Sequence, residues 1–375
     1  MEISKRIKEE RKKLGMTLQE LANEVGFKSY QTLSSIEKGK RQVKVSELDK
    51  IAKALGLTVS YLLGEEAERK EKALWRKCVD ESRCKKYENL LISFCRNYKK
   101  LSELTGHKYE KFVPPKPEEL QKERFKNDYD FAKNLAEKYL RELDLGRYPG
   151  KNIVDSLQDK NILIFCYDLE AGSAASLVGD FGAAILLNKI ERPWRKTFDI
   201  AHELFHLITW DVYPPESVYD DEERGKSKPE QYADTFASSL LLPEKLVKNE
   251  VSWRKSEKGL SLIDYIEIAT KFRVSIQALT WKLQNLRIFP KDEMERIRAH
   301  PKLSELNKLM RTKEPDIPEL SEIYVTQALK TYLHGRLSKL KLADYLNVKY
   351  GEMASFLSEH SYPDIEEMNL ESFSL

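Results

Sequence analysis

Cysteine and histidine are both scarce in this chain. The four cysteines (Cys78, Cys84, Cys95 and Cys166) form no C-x-x-C pair and no secreted framework. They are expected to be ordinary reduced thiols of a cytoplasmic protein. Long apolar runs are missing too: none approaches the roughly 18 residues of a membrane-spanning helix. Charges run through the N-terminus without an apolar core segment, so no secretory leader is expected. No coiled-coil heptad is visible, so a homodimer would have to form by other contacts.

Charge of one sign is also lacking overall, because the net charge is only +3. It is unevenly placed. Residues 1–64 carry 13 Lys and Arg against 8 Asp and Glu, whereas the remaining 311 carry 51 against 53. The basic excess belongs to the N-terminal segment, which points to a polyanion partner there.

Two of the 6 histidines stand in one short pattern. Residues 201–206 read Ala-His-Glu-Leu-Phe-His. His202 and His206, four apart on a helix, project from one face. Two neutral imidazoles so placed can take two corners of a tetrahedral Zn2+. Glu203 beside them can accept a proton from activated water. Catalysis needs a third protein ligand and one open position. Downstream, Ala233, Phe236, Ala237, Leu240 and Leu241 recur at helical spacing, and Pro243 closes the segment. Glu230 and Asp234 share a face of that helix, and the small Ala233 and Ala237 permit close approach of a neighbour. Glu230 is the expected third ligand, with Asp234 orienting a histidine through its other ring nitrogen. The reverse assignment, with Asp234 on the metal, also fits the spacing. The acidic stretch 216–223 is expected to be a solvated loop at the cleft mouth. Tyr213 or Tyr219 could polarise a substrate carbonyl.

The first 64 residues read as five helices. Residues 3–15 are basic and amphipathic, with Ile3, Ile7 and Leu14 inward and Lys5, Arg6, Lys8, Arg11, Lys12 and Lys13 outward. Thr17 opens a second helix with Glu20 at the capping-box position, and Gly26 ends it. A third runs from about Tyr30 to Lys38, and two more lie near 46–55 and 58–63. Two short helices joined by a glycine-containing turn make a helix-turn-helix unit whose following helix enters the major groove of double-stranded DNA. Gln31, Thr32, Ser34, Ser35 and Lys38 would face bases or phosphates, and Lys28, Lys40 and Arg41 would meet phosphates. The order Thr17-Leu-Gln-Glu-Leu-Ala, then Thr32-Leu-Ser-Ser-Ile-Glu-Lys-Gly-Lys-Arg41, resembles the lambda-repressor-like (XRE-type) family. Members of that family usually have one residue fewer between Gly26 and the recognition helix, and they often act as dimers.

Residues 65–125 read as charged and helical, with Trp75, Tyr87, Leu90, Leu91, Phe94 and Tyr98 as burial points and a stiff Pro-rich turn at 113–117. A helix is expected at about 127–143. Strands follow at 161–167, 173–178 and 182–188, forming a small sheet on the zinc helices. An edge strand beside the cleft could hold an extended peptide by backbone pairing.

Arg195 through Leu207, together with Glu230-x-x-Ala-x-x-Phe-Ala-x-x-Leu-Leu-x-Pro243, resembles the ImmA/IrrE metallopeptidases, including members fused to an XRE domain. The resemblance implies zinc at His202, His206 and Glu230, with Glu203 catalytic. It also implies cleavage of a partner transcriptional repressor under stress. One position departs from the family: Phe205 stands where glycine is usual. Its bulk would narrow the cleft or displace the neighbouring helix.

Residues 262–286 and 320–358 each read as a further helix-turn-helix-like pair, more suited to packing, sensing or oligomerisation than to a second DNA contact. His300, His334 and His360 have no ligand spacing. The expected fold class is mainly α with a small β-sheet (α+β). The expected domains are a five-helix DNA reader (1–64), a helical linker (65–125), a zincin-like peptidase (126–255) and a helical C-terminal region (256–375). The functional expectation is a DNA-binding zinc endopeptidase. Its rivals are a DNA-binding regulator with a structural zinc site and the effector half of a two-gene defence module.

Overall fold

The computed structural model describes residues 3–64, 73–76, 81–170, 172–215, 220–221, 225–254, 259–312 and 314–359. The fold is mainly helical, with one small mixed sheet, as the sequence predicts.

Five helices open the chain: α1 (Ile3–Lys13), α2 (Leu18–Val25), α3 (Tyr30–Glu37), α4 (Val45–Ala54) and α5 (Val59–Leu63). Thr17 and Glu20 make the reciprocal capping box, and Gly26 leaves α2 in the left-handed conformation at φ 80°. Ser29 caps α3 by accepting from the Gln31 amide. The helices close on Ile7, Leu21, Leu33, Ile36, Ile51 and Leu62, all fully buried.

One expectation fails here. Arg11 turns inward rather than outward and donates to Glu37 through Nε and Nη2 at 2.6 and 2.9 Å, while Nη1 caps the Met16 carbonyl. Its position on α1 lies over the end of α3, and bidentate pairing satisfies both charges there.

Between this domain and the sheet lie a short strand β1 (Leu74–Arg76) and the long helix α6 (Glu81–Thr105). The helical reading of 65–125 missed that strand. Three residues carry no periodicity to detect, and the partner is about 100 residues away. Cys84 is disulfide-bonded, which corrects the reading of four reduced thiols; Cys95 and Cys166 are free and buried. Pairing depends on how closely the backbones approach, and spacing in sequence does not report that.

After α7 (Pro117–Leu120), α8 (Asp128–Glu142) and α9 (Pro149–Asp159) come β2 (Ile162–Tyr167), β3 (Ala174–Gly179) and β4 (Gly182–Asn188). The strand order is β1-β3-β4-β2. β2 runs parallel to β4, while β3 is antiparallel to both β4 and β1. The sheet is buried on both faces, which explains the unbroken apolar runs of β2 and β4. Ile162, Ile164, Ala174, Ile185 and Leu187 face one core. Leu163, Phe165, Ala175, Leu177 and Leu186 face the other.

Onto the first face pack α10 (Pro193–Ile208) and, beyond the two-stranded hairpin β5 (Asp220–Asp221) and β6 (Gly225–Lys226), α11 (Lys228–Leu241). The helices α12 (Glu244–Arg254), α13 (Leu262–Phe272), α14 (Ile276–Asn285), α15 (Lys291–Arg298) and α16 (Leu303–Met310) follow. They send Val247, Tyr265, Ile268, Leu279 and Met294 into the same core. Helices α17 (Glu322–Leu333), α18 (Lys339–Leu346) and α19 (Met353–Glu359) close the second face with α6 through Tyr324, Ala328, Leu342 and Met353. The acidic tail after Pro363 lies outside the described residues.

Candidate metal centre

Helix α10 is buried along its C-terminal two-thirds, which is why its histidines sit in the core rather than on the surface. Pro193 starts it at a position where no amide donor is needed. At its end, Thr209 returns both its amide and its hydroxyl to the Phe205 carbonyl. Helix α11 lies against it through Ala233, Phe236 and Ala237, all fully buried. The small side chains bring the two axes close, and Glu230 in the first turn of α11 reaches the histidines.

The ligating atoms of His202, His206 and Glu230 all lie within 4.8 Å of one another. The two Nε2 atoms are 3.2 Å apart, and Glu230 Oε1 lies 2.9 Å from His206 Nε2. Glu230 Oε2 lies 3.2 Å from His202 Nε2. All three side chains are at most 1% exposed. His202 Nδ1 meets Asp234 Oδ1 at 2.9 Å. A proton on Nδ1 there leaves the Nε2 lone pair directed at the cluster. Two imidazole nitrogens and a carboxylate that converge in a buried core could hold a metal ion, and this donor set fits zinc. Asp234 does not join the convergence; it stands behind His202.

Glu203 is fully buried, and its Oε2 accepts from Ser176 on β3 at 2.7 Å. Its Oε1 has no hydrogen-bond partner among the described residues. Burial raises the Glu203 carboxyl from 4.5 to about 7, against the opposing pull of His202 and Ser176. A base poised near neutrality suits proton transfer. Burial also disfavours the charged form of Glu230, but His202 and its hydrogen bonds outweigh that and hold Glu230 far below the ordinary carboxylate range. His206 is shifted down, first by burial.

Four residues of this site were not anticipated: Arg76, Asp199, Ser176 and Lys226. Arg76, 2% exposed, donates to Asp199 and, at 3.1 Å, to Asp234. Asp199, fully buried one turn before the first histidine, also meets Arg195 at 3.3 Å. Ser176 comes from the sheet. The i, i+4 spacing of Arg195 and Asp199 was the only local signal; Arg76 and Ser176 gave none. Lys226 completes the shell by donating to Asp234 at 2.6 Å.

Phe205 is buried in the seam between α10 and α11, with its ring edge-on to that of His206 at 5.7 Å. It lies 5.6 Å from the Phe236 ring and 6.1 Å from Tyr213. Its bulk is absorbed by the core. Tyr213 donates to Asp128 at 3.0 Å and is taken up there. Tyr219 and most of the acidic stretch 216–223 lie outside the described residues, although Asp220 and Asp221 form a hairpin strand. Among the described residues, no further cluster of metal-ligating groups occurs, and His300 and His334 belong to none.

In the N-terminal domain, Lys28, Gln31, Lys38 and Lys40 are exposed, and Thr32, Ser34, Ser35 and Arg41 are half-buried. Ser35 donates to the Gln31 carbonyl within α3, and Arg41 pairs with Glu47 at 2.8 Å. No helix among the described residues is long and apolar enough to cross a membrane.

Residues 7–62 match the family model described as helix-turn-helix. Residues 154–284 match that of the IrrE N-terminal-like domain, a peptidase family. No curated protein and no solved structure matches the chain. The matched segments contain α2 to α4 and, in the second, β2 to β4 with α10 and α11, and so include the helix-turn-helix unit and the His202, His206 and Glu230 cluster but not β1. The chain is therefore a fusion of an XRE-type helix-turn-helix domain with an ImmA/IrrE-like peptidase-family domain.

Proposed function

We propose that this chain is a DNA-bound zinc endopeptidase that regulates transcription by cutting a partner repressor. The observation that carries the reading is the convergence of His202, His206 and Glu230 within 4.8 Å, with Glu203 beside them. His202, His206 and Glu230 would hold the ion, leaving one position for substrate. Zinc there supplies Lewis acidity towards a peptide carbonyl and makes water nucleophilic at neutral pH. Ser176 fixes one oxygen of Glu203, so the unpartnered Oε1 is the atom that takes the proton and later passes it to the leaving amine. Asp234 holds the His202 tautomer, and Arg76 and Lys226 hold Asp234. The surrounding core excludes water and strengthens each of these interactions.

The DNA reader is assigned to α3 and its flanks. Gln31, Thr32, Ser34, Ser35 and Lys38 are proposed for groove contacts, with Lys28, Lys40 and Arg41 for phosphates. Holding the peptidase on an operator raises its local concentration towards a repressor bound nearby. A regulator with a purely structural metal is the competing reading, favoured by the depth of the cluster. A three-residue donor set argues against it, because structural zinc sites are closed by four.

The test compares cells expressing the wild type and Glu203→Gln. The expected result is a repressor with a new N-terminus in the first and intact in the second, with equal operator occupancy. Identical N-termini in both would refute cleavage.

A further inference from the structure

The metal-centre residues are deeply covered, and the element on the sheet edge beside them belongs to neither matched segment. β1 pairs antiparallel with β3, Leu74 opposite Ser176, Trp75 opposite Ala175 and Arg76 opposite Ala174. β3 carries Ser176, which holds Glu203. Resting on the peptidase reading, we propose that β1 occupies the substrate's own edge as a resident pseudo-substrate. The partner segment that replaces it would be an extended peptide with an apolar residue and, two positions later, a basic one.

Strand alternation puts Leu74 and Arg76 on the face of the metal centre and Trp75 on the other. Leu74 is 2% exposed and lies opposite the serine that holds Glu203. From the edge, the Arg76 side chain reaches across to Asp199 and Asp234, with its guanidinium 5.4 Å from the Phe198 ring. These two carboxylates, one buried and one partly exposed, receive the Arg76 cation between them, beside Arg195 on Asp199 and Lys226 on Asp234. The Arg76 carbonyl also accepts from the Ser173 amide at 3.1 Å. Trp75 lies over Gly172, where a Cβ would meet its ring at 3.0 Å.

These contacts are what an incoming extended peptide would make: backbone pairing for affinity and alternate side chains for selectivity. Three paired residues make a short edge strand, the kind of element that exchanges at modest cost. β1 also lies in the connection between the DNA-reading helices and the rest of the chain, so a change at the operator has a direct covalent route to it.

The test uses the zinc-supplemented full chain and a dye-labelled peptide, Ala-Leu-Trp-Arg-Ala, followed by fluorescence polarisation. Trp75→Ser loosens β1 without touching the carboxylates, and Arg76→Ala removes the cation between them. Zinc content and melting temperature are measured alongside. Both variants are expected to bind the peptide at least tenfold more tightly than the wild type, with the Ala-Leu-Trp-Asp-Ala version at least tenfold weaker. Folded variants that bind no better than the wild type would overturn the proposal and make β1 a permanent part of the sheet. The readout needs no turnover. A chain that takes up no zinc but gains peptide affinity on losing β1 upholds the strand's role and refutes the peptidase reading instead.

Discussion

The two matched regions of this chain handle charge in opposite ways. The N-terminal helices bury one ion pair, Arg11 with Glu37, and leave Lys28, Lys38 and Lys40 in water. The peptidase-family region buries His202, Glu203, His206, Glu230, Asp199 and Lys196, with Arg76 inserted from outside. Buried ionisable groups are costly unless paired, so a protein accumulates them where chemistry requires it. A surface that reads a polyanion needs the reverse, with charges left mobile and hydrated. The contrast is the one that the proposed recognition face and the proposed reaction centre require.

The comparison can be broken at several points. The largest expected effect on folding comes from Phe205→Ala, which empties the fully buried seam between α10 and α11. It should cost about 3–5 kcal/mol in chemical denaturation. A loss under 1 kcal/mol would mean that the seam repacks freely.

Next is Glu250 on α12, 1% exposed and bound by Arg147, Tyr148, Arg254 and Lys271. Burial pushes its carboxyl up, but these partners outweigh burial and bring it from 4.5 down to about 2. A depressed carboxyl stabilises fully above pH 4.5, and that contribution is lost as pH falls towards 2. Glu250→Gln should cost about 2–3 kcal/mol at pH 7 and flatten this acid limb. Equal acid sensitivity in variant and wild type would contradict the assignment.

Asp234→Ala should follow, weakening zinc about 10–100-fold in a competitive chelator titration by releasing His202. An unchanged affinity would make Asp234 a bystander. The smallest effect is expected from Lys38→Ala or Lys40→Ala. Each should lower the salt slope of DNA binding by about 1 without altering zinc uptake. A salt slope identical to the wild type's would place phosphate contact elsewhere.

What the sequence reveals follows the range of the forces involved. The H-E-x-x-H pair, Glu230 and Asp234 lie on helices whose period is local, so their shared faces can be read directly. Thr17 with Glu20 and Gly26 likewise mark helix ends through contacts a few residues long. The strands β2 and β4 stand out as apolar runs. Arg76 and Ser176 do not, because pairing across about 100 residues and a hydroxyl aimed from a strand at a helix depend on tertiary approach. Arg11 looked outward because its neighbours Lys12 and Lys13 do, and only the packing of α3 over α1 turns it in. Phe205 was expected to narrow the cleft or displace the neighbouring helix; its ring packs on Phe236 of α11 and edge-on against His206.

The most direct test of the central claim is the zinc content of the purified chain by elemental analysis, beside His202→Ala and Glu230→Ala. The account predicts about one zinc per wild-type chain and loss of it in both variants, each still folded by circular dichroism. A wild type that takes up no zinc on addition, or variants that retain it, would contradict the account.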